Sequence, residues 1–211
     1  MVRRTAEDAA ETRAGLLLAA RSLFSEKGFI DATLEEVGAR AGVTTGAVYH
    51  HFRDKRELFA TVFRELEQEL DATARAAAVA AAKEPREAFL AGCRAYLEFA
   101  GRDDFHRIVL VDGPAVLGPS GWHAADSQLG LPTLEAAVKA LIAVRLIPVQ
   151  PPRPLAVLLF GALNEAGFAL ARGDPGLDLA STLAAVGSLV DGLAALGPHP
   201  DRALAVPSTH P

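Results

Sequence analysis

Two capping-box patterns, one on each side of a glycine turn, constrain the first quarter of the chain to short helices. Thr33 is followed three residues later by Glu36, and Asp54 is followed three residues later by Glu57. In such a box the first side chain accepts a hydrogen bond from the helix backbone, while the acid reaches back to the cap. Gly42 lies between the boxes, where it can end a helix. The pattern predicts one short helix before Gly42, another directly after it, and a third helix after the second box.

The composition favours helices throughout the chain. Of its 211 residues, 50% are hydrophobic and only 6% are aromatic. Alanine, the best helix former, is abundant, whereas the β-branched residues that favour strands are sparse. Apolar residues recur at helical spacing between glycine and proline stops. We therefore expect an all-α protein with about nine helices.

The apolar pattern divides the chain into a small N-terminal head and a larger helical body. The first helix is predicted to stop at Gly28. The long helix after the second box ends in an alanine-rich stretch, for which we expect a continuous, closely packed helix. The segment DGPAVLGPSG and the prolines at positions 151, 152 and 154 predict breaks in the body. We expect a head over residues 1–56, a body over 57–198 and a loose tail over 199–211.

Charge and cysteine content narrow the classes of partner and compartment. The net charge is −5, yet the first sixty residues carry nine basic and nine acidic side chains and are neutral. Within them three basic residues, Arg53, Lys55 and Arg56, outnumber the single acid Asp54, which makes a weak basic patch. The single cysteine, Cys93, cannot form an internal disulfide, and no Cys/His spacing predicts zinc. We expect a cytoplasmic protein without a signal peptide, a membrane span, a metal or a cofactor.

The two short helices form a predicted helix-turn-helix unit. The turn Gly42-Val43-Thr44 leads into the second helix of the pair, Thr45–His51. Small residues at the start of this helix would let its backbone approach the floor of a DNA groove. Tyr49, His51 and Lys55 are donors long enough to reach phosphates, and Lys55 lies at the positive end of the next helix. The unit therefore predicts DNA binding.

The segment GFIDATLEEVGARAGVTTGAVYHHFRDKRELFATVF is similar to the DNA-binding domain of TetR-family transcriptional regulators. The resemblance rests on a glycine–aromatic pair, a threonine helix start, an AGV turn, a Tyr-x-His-Phe run, and a lysine with a leucine three residues on. In this chain these motifs are Gly28-Phe29, Thr33, Ala41-Gly42-Val43, Tyr49-His50-His51-Phe52 and Lys55 with Leu58. The motif set covers about a quarter of the chain, and the chain length and helix count also resemble that family.

The resemblance implies roles for individual residues of the head. The implied phosphate contacts are Thr33, Tyr49, His51 and Lys55, and the implied groove-facing set is Thr44, Thr45, Gly46, Ala47 and His50. Glu35 departs from the pattern, because some relatives carry a basic side chain there that contacts a base. An acid would be repelled by phosphate and could only accept from a base such as cytosine. We expect no direct base contact from the first helix of the pair.

The last two helices predict a dimer interface. The stretch PLAVLLFGALNEAGFALA is apolar nearly all round, and a helix that is apolar on every face must be buried on every face. The resemblance implies that these helices of two subunits form a four-helix interface. We expect it to contain Phe160, Leu163, Leu183, Val186, Leu189, Val190 and Leu193. Such a two-fold homodimer would bind a palindromic operator in double-stranded DNA.

The resemblance also implies a pocket for a small-molecule effector in the body. The candidate lining residues are the sparse polar and aromatic residues of its helices: Tyr96, Phe99, His106, Asp112, Trp122, Asn164, Glu165 and Phe168. Core packing is the alternative for three of the aromatic residues, and a surface position is the alternative for His106. The adjacent Asn164 and Glu165 are costly to bury unless they bond to an effector or to a second subunit. With Asp112, the acid Glu165 favours an apolar effector that is neutral or cationic.

These features predict a DNA-binding transcriptional regulator, acting as a repressor that its effector releases from DNA. Two alternatives stay open, a helical enzyme and a protein-interaction adaptor without DNA binding. Ser120, His123 and Asp126 are close in sequence, but no nucleophile turn, phosphate loop or supported acid pair accompanies them. His50 and His51 point about 100 degrees apart on a helix and cannot chelate one ion from one face. We therefore expect no catalytic activity, whereas only the DNA-binding head argues against an adaptor.

Overall fold

The computed structural model describes residues 6–195, and within that range the ordered elements are all helical, as the composition predicts. The elements are α1 (Ala6–Asp31), α2 (Leu34–Arg40), α3 (Thr45–His51), α4 (Lys55–Ala80), α5 (Pro85–Ala100), α6 (Asp103–Phe105), a π-helical segment (His106–Asp112), α7 (Gly113–Leu117), α8 (Pro119–Ala143), α9 (Pro152–Arg172) and α10 (Leu179–Ala195). The α6 helix, the π-helical segment and α7 follow one another without a loop, so they form one broken helix. The predicted tail, 199–211, lies outside the described residues.

The predicted helix starts are confirmed at both capping sites. The Glu36 N–H donates to Thr33 Oγ1 at 3.2 Å, and the Thr33 N–H donates back to Glu36 Oε2 at 3.1 Å. At the second site the Glu57 N–H donates to Asp54 Oδ1 at 2.8 Å. Its acid reaches one residue further back than expected, because Glu57 Oε2 accepts from the Arg53 N–H at 2.8 Å. Both arrangements satisfy N–H groups that the first turn of a helix leaves without partners.

The predicted stop at Gly28 is a break inside α1, after which one helical turn continues to Asp31. Gly28 has φ +79° and ψ 172°, a backbone conformation that is open essentially to glycine alone. A Cβ added at Gly28 would lie 2.0 Å from a guanidinium nitrogen of Arg107. Glycine is therefore required here by the backbone conformation, and the guanidinium of Arg107 lies in the space that a side chain would take.

The break predicted over DGPAVLGPSG is wrong in extent, because most of this segment is helical. Pro119 lies in the first turn of α8, where the missing N–H has no helical partner to lose, and Pro114 lies where the π-helical segment passes into α7. The buried Gly113 lets Trp122 approach, since an added Cβ would lie 2.8 Å from the indole ring. The real break is confined to Gly118, which has φ +78°.

The α4 helix connects the head to the body. One apolar cluster unites α1 and α4 with the π-helical segment, and its large buried members include Phe24, Phe59, Phe63, Phe105 and Ile108. A second cluster lies among α5, α8, α9 and α10. The first cluster extends past residue 56, so the apolar core is continuous across the predicted boundary. The division into 1–56 and 57–198 stays a prediction.

By length and apolar composition alone, α9 could cross a membrane, although we expected no candidate span in this chain. A core helix of a globular protein meets the same criterion. In this structure α9 packs against α5 and α8, and Ala156, Leu159 and Leu163 are buried there. The apolar composition of α9 is thus partly used within the chain, and its remaining apolar face lies at the surface.

Candidate DNA interface and ligand cavity

The α3 helix has one buried edge and an open outer face. Val48 and the following Phe52 are buried in the head and hold the helix in place. On the outer face, Gly46 and His50 are exposed, and the Tyr49 side chain is 57% exposed. The helix therefore presents a small residue near its start and hydrogen-bonding side chains further along, which suits contact with DNA.

Thr33 and Thr44 both cap helices with the hydroxyl groups for which we predict DNA contacts. Thr44 Oγ1 accepts from the Ala47 N–H at 3.3 Å, and Thr33 accepts from Glu36 as described above. Both threonines remain exposed. A hydroxyl group has one donor and two acceptor sites, so capping by acceptance leaves the donor of Thr44 for another group. The Thr33 hydroxyl already donates to Glu36 Oε2 at 3.3 Å, so a phosphate contact would require this bond to open. The two starting turns are thus fixed in place at the exposed surface of the head.

Lys55 is held by the end of α1. Its Nζ donates to the carbonyl oxygens of Phe29, Ile30 and Ala32 at 2.6, 3.1 and 2.9 Å. The same ammonium lies 4.5 Å from the centre of the Phe29 ring. Three acceptors use all three donors of the ammonium group. In this arrangement Lys55 joins α4 to the last turn of α1, and the predicted phosphate contact would require at least one of these bonds to open.

An apolar cavity of about 420 Å³ lies between α4, α5, α8 and α9. Its walls include the aromatic side chains of Phe89, Tyr96 and Phe160. Small residues make room for it, and they are Ala74, Ala78, Ala88, Gly92, Gly130, Ala136 and Ala137. The alanine-rich part of α4 is a continuous helix as predicted, but it borders a cavity where we expected close packing. The volume falls within the range of about 300–1,000 Å³ that is usual for small-molecule sites.

Carboxyl groups from two helices, α4 and α8, line this cavity. Asp71 of α4 accepts from Thr133 Oγ1 at 2.6 Å and pairs with Arg75 at 2.8 Å. Asp126 of α8 accepts from the Asn164 side-chain amide at 2.7 Å. The hydroxyl of Tyr96 donates to the oxygen of that same amide, which links α5, α9 and α8.

Glu67 of α4 differs from the other two acids of the cavity. Its side chain is only 4% exposed, and its Oε1 atom has no hydrogen-bond partner. Burial raises the pKa of Glu67 to about 9, and repulsion from Asp126 and Asp71 contributes to the shift. Burial likewise raises the pKa of Asp126 to about 6, although the bond from Asn164 opposes the shift. The cavity therefore combines apolar walls with two acids, Glu67 and Asp126, whose pKa values are raised by burial.

Comparisons with known proteins identify both halves of the chain. Residues 16–62 match the family of bacterial regulatory proteins named tetR, and residues 86–193 match the tetracyclin repressor-like C-terminal domain. The chain belongs to the TetR family. A solved TetR-family transcriptional regulator from Pectobacterium atrosepticum is 38% identical, with a TM-score of 0.77. The match covers 90% of this chain and 97% of that chain.

Curated relatives match over a shorter stretch. The transcriptional repressor BepR of Brucella suis is 49% identical over 61 residues, and the transcriptional regulator TtgR of Pseudomonas putida is 45% identical over 76 residues. These matches cover 29% and 36% of each protein, so the chain spans about a third of the length of these relatives. The predicted all-α fold with an N-terminal helix-turn-helix is confirmed as the TetR fold, and the named relatives are regulators of transcription.

Some predicted effector residues of this TetR-family chain lie at or beside the cavity, and others lie elsewhere. Tyr96 lines the cavity, and Asn164 bonds to Tyr96 and to Asp126 beside it. Glu165, the neighbour of Asn164, is exposed and pairs with Arg172 at 3.3 Å. One of the two adjacent polar groups is therefore satisfied inside the chain, and the other faces away from the cavity.

The other predicted effector residues do not line the cavity. Phe99 packs edge to face on Phe105 in the first apolar cluster, and the Trp122 Nε1–H donates to a carbonyl of the π-helical segment at 2.9 Å. Phe168 lies beside the Trp122 ring, and His106 is half-buried in the π-helical segment. Asp112 instead accepts from the backbone of Phe29 at 2.7 Å. Phe99, Trp122 and Phe168 thus pack in the core, which was the alternative for these aromatic residues. Asp112 contacts the head.

The predicted interface residues of the TetR dimer also divide into two groups. Phe160, Leu163, Leu183 and Val190 are buried within the chain itself, and Val186 and Leu193 pack partly against the same core. Leu189 is 56% exposed. The exposed apolar residues that the prediction omitted are Val157 and Leu158 on α9, of which Leu158 is 71% exposed. The sequence placed the apolar helices correctly but could not divide their faces between core and surface.

Glu67 and Asp71 are two acids of the cavity that sequence reasoning missed. A signal for them was present, because they continue the i+4 row of Phe59 and Phe63 along α4. Acids on a buried row are unusual and mark a site where charge has a use. The signal was obscured because the parallel row of Leu58, Val62, Leu66 and Leu70 on α4 already accounted for an ordinary amphipathic helix.

Proposed function

We propose that this protein is a transcriptional regulator that binds double-stranded DNA as a homodimer through α3 and that a small molecule in the cavity releases it. The proposal rests above all on the outer face of α3, where exposed Gly46, Tyr49 and His50 are held by buried Val48. Gly46 and His50 belong with Thr44, Thr45 and Ala47 to the proposed groove-facing set. The proposed phosphate contacts are Thr33, Tyr49, His51 and Lys55. Repression is the expected output, the cytoplasm is the expected location, and catalysis is not expected.

The dimer proposal is supported by an unpartnered apolar surface. Val157 and Leu158 of α9 and Leu189 of α10 are exposed, and the glycines Gly161 and Gly192 near them let helices approach closely. A surface of this kind is typical of a helix–helix interface. Two heads related by a two-fold axis would bind the half-sites of a palindrome, which gives the specificity that one head lacks.

Release by an effector is supported by the position of α4. Its first residue, Lys55, is bonded to the end of α1, whereas Ala74 and Ala78 line the cavity about five turns further along. A ligand that shifts the distal part of α4 would therefore change the separation of the two heads. A dimer matched to successive major grooves tolerates small changes only, so a preference of about 1–3 kcal/mol for the mismatched form is sufficient.

The test is binding of the purified protein to the DNA upstream of its own gene. Fluorescence anisotropy should give nanomolar binding that weakens with salt, and a scrambled duplex of equal length should bind far more weakly. Equal affinity for the two duplexes at every salt concentration would contradict a sequence-specific regulator. A helical enzyme or an adaptor would bind neither duplex.

A further inference from the structure

We infer that Arg21 of α1 is a positioning residue, which fixes the angle of the head on the body and thereby the half-site spacing that the dimer accepts in DNA. The inference rests on the proposed function, because half-site spacing matters only to a dimer that binds a palindrome. It begins from four charged side chains, Arg21, Glu69, Arg102 and Asp104, which we name the charge ring. The ring joins α1 of the head to α4 and to the start of α6.

Each charge of the ring is bonded to both charges of opposite sign. Arg21 Nε and Nη2 donate to Asp104 Oδ2 at 2.8 and 2.6 Å, and Arg21 Nη1 donates to Glu69 Oε2 at 2.8 Å. Arg102 closes the ring, because its guanidinium donates to Glu69 Oε1 at 3.0 Å and to Asp104 Oδ2 at 3.1 Å. Exposed single ion pairs contribute little to a fold, whereas arginine forks within a network hold a defined geometry.

The acids and the second arginine of the ring are held in place by the body. The Arg102 guanidinium lies 4.3 Å from the centre of the Phe99 ring, and Asp104 Oδ1 accepts from the Phe105 N–H at 2.8 Å. Phe99 and Phe105 are buried and pack edge to face. The side chains of Arg21 and Asp104 are only 24% and 19% exposed, so salt screens this pair less than it screens a surface pair. Arg21 therefore bonds to acids whose positions are already fixed.

The helix-turn-helix pair moves with α1. Arg40 of α2 donates to Glu26 Oε2 at 2.9 Å, and Lys27 pairs with Glu36 of α2 at 2.5 Å. The α3 helix in turn packs against α2. A rotation of α1 on the body would therefore move the exposed face of α3.

Polar bonds hold α1 to the body at two points. One is the bond from the Phe29 N–H to Asp112, and the other is Arg21 in the charge ring. The two points lie about 12 Å apart along α1, as its rise per residue requires. A helix bound at two points has a fixed axis, whereas a helix bound at one point can turn about it. The apolar core beneath α1 resists separation, but apolar attraction is not directional.

The angle of α1 has its largest effect in the dimer. A two-fold axis turns the two heads in opposite directions, so a small rotation of each α1 changes the separation of the two α3 helices. That separation must match the distance between successive major grooves. The charge ring thus restricts the dimer to one half-site spacing.

The first measurement is the distance between head and body within one chain, obtained from spin labels at Glu35→Cys on α2 and Ala140→Cys on α8. Both sites are exposed, and the native Cys93 is buried. An excess of unlabelled protein ensures that each dimer carries one labelled chain. The distance distribution should be narrow for the wild-type ring and broader for Arg21→Met, which cannot donate. Arg21→Lys should be intermediate, because an ammonium group can bond to the acids but cannot form the fork.

The variants should fold, because Arg102 still pairs with both acids when Arg21 is changed. Circular dichroism checks this. Asp104→Asn removes the charge on the other side of the same pair and should broaden the distance as well. Arg86→Met is the matched control, since Arg86 forms the same kind of fork with Asp191 at 2.7 Å but joins two helices of the body. It should leave the distance between head and body unchanged.

The second measurement is the affinity for three duplexes by fluorescence anisotropy. They are the palindromic site found by footprinting upstream of the protein's own gene and two versions with one base pair added or removed at the centre. The wild type should lose at least about tenfold in affinity on either altered duplex, and Arg21→Met less than about threefold. A role in stability alone would lower the affinity of Arg21→Met for all three duplexes by the same factor.

An unchanged distance distribution in Arg21→Met, or an equal loss of affinity for all three duplexes, would overturn the inference. Failure of the proposed function gives a different result. If the wild type binds no site with two halves while Arg21→Met still broadens the distance, the dimeric regulator is wrong and the fixing of the head by Arg21 stands. If both proteins prefer one spacing equally, the regulator stands and the inference is wrong.

Discussion

The carboxylate of Asp112 accepts a 2.7 Å hydrogen bond from the backbone N–H of Phe29, which joins the π-helical segment of the body to the broken end of α1. Arg107 reinforces the joint, because its guanidinium pairs with Asp112 at 3.4 Å and lies against Gly28. The same turn of α1 supplies the carbonyl groups that bind Lys55. The head is thus connected to the body at this polar joint and at the ion pair between Arg21 of α1 and Asp104 of α6 (2.6 Å), as well as through α4.

Replacing Asp112 by Ala should therefore destabilise the protein. The change leaves the Phe29 N–H without its partner in a partly buried site, so we expect a loss of about 1–3 kcal/mol in the free energy of unfolding by urea. Asp31→Ala removes an exposed acid from the same turn and should cost less than about 0.5 kcal/mol. Equal losses in the two variants would show that the joint contributes nothing specific.

Lys55 should contribute to stability as well as to DNA binding. Lys55→Met keeps the length of the side chain but cannot donate to the three carbonyl groups, so a loss of about 1.5–3 kcal/mol is expected in urea unfolding. Arg56→Met, an exposed neighbouring change, should lower DNA affinity without a comparable loss of stability. A Lys55→Met protein as stable as the wild type would mean that the three hydrogen bonds make no net contribution to the free energy of unfolding.

Tyr49 and His50 should affect DNA binding in different ways. Tyr49→Phe removes a predicted phosphate contact and should weaken binding to all sequences by a similar factor, whereas His50→Ala should change the order of preference among operator variants. Competition anisotropy with a set of single-base operator variants distinguishes the two outcomes. A uniform loss in both variants would remove His50 from the groove-facing set.

The dimer should depend on the exposed face of α9 and not on the side chains buried below it. Leu158→Glu places a charge on that face and should give a folded monomer by light scattering. Val149→Glu changes an equally exposed apolar residue of a loop and should leave the dimer intact. Phe160→Glu, in contrast, should lose helical structure, because its charge would enter the core. A dimer that survives Leu158→Glu would place the interface elsewhere.

Stability should fall as pH rises, because of Glu67. Its pKa is about 9 in the folded chain against an ordinary value of 4.5, so between these values the folded state holds a proton that the unfolded state has lost. The contribution of Glu67 to stability therefore declines by up to about 1.4 kcal/mol per pH unit in that window. Glu67→Gln should gain stability over the wild type as pH rises from about 6 to 8. Glu65→Gln, an exposed change on the same helix, should show no such gain. A stability difference between Glu67→Gln and the wild type that does not change with pH would contradict a protonated Glu67.

Much of the head could be predicted because its signals are local. Capping at Thr33 and Asp54 depends on residues three positions apart, and the stop at Gly28 depends on one backbone conformation. The placement of α3 follows from the turn that precedes it. The head segment also resembles its relatives closely enough to identify the family, so the amino-acid sequence alone predicts both the fold and the class of function.

The body was less predictable because its site depends on which faces meet. The sequence by itself determined that the body is helical and that α9 and α10 are apolar, since periodicity and stops are local properties, although most of the break predicted over DGPAVLGPSG is helical. Only the tertiary structure decided that Phe160 faces the core while Leu158 faces outward, and that Glu67 lies at a cavity. The physical reason is that burial, cavity volume and pKa depend on contacts between residues distant in sequence, and helical periodicity fixes the direction of a side chain but not its neighbours.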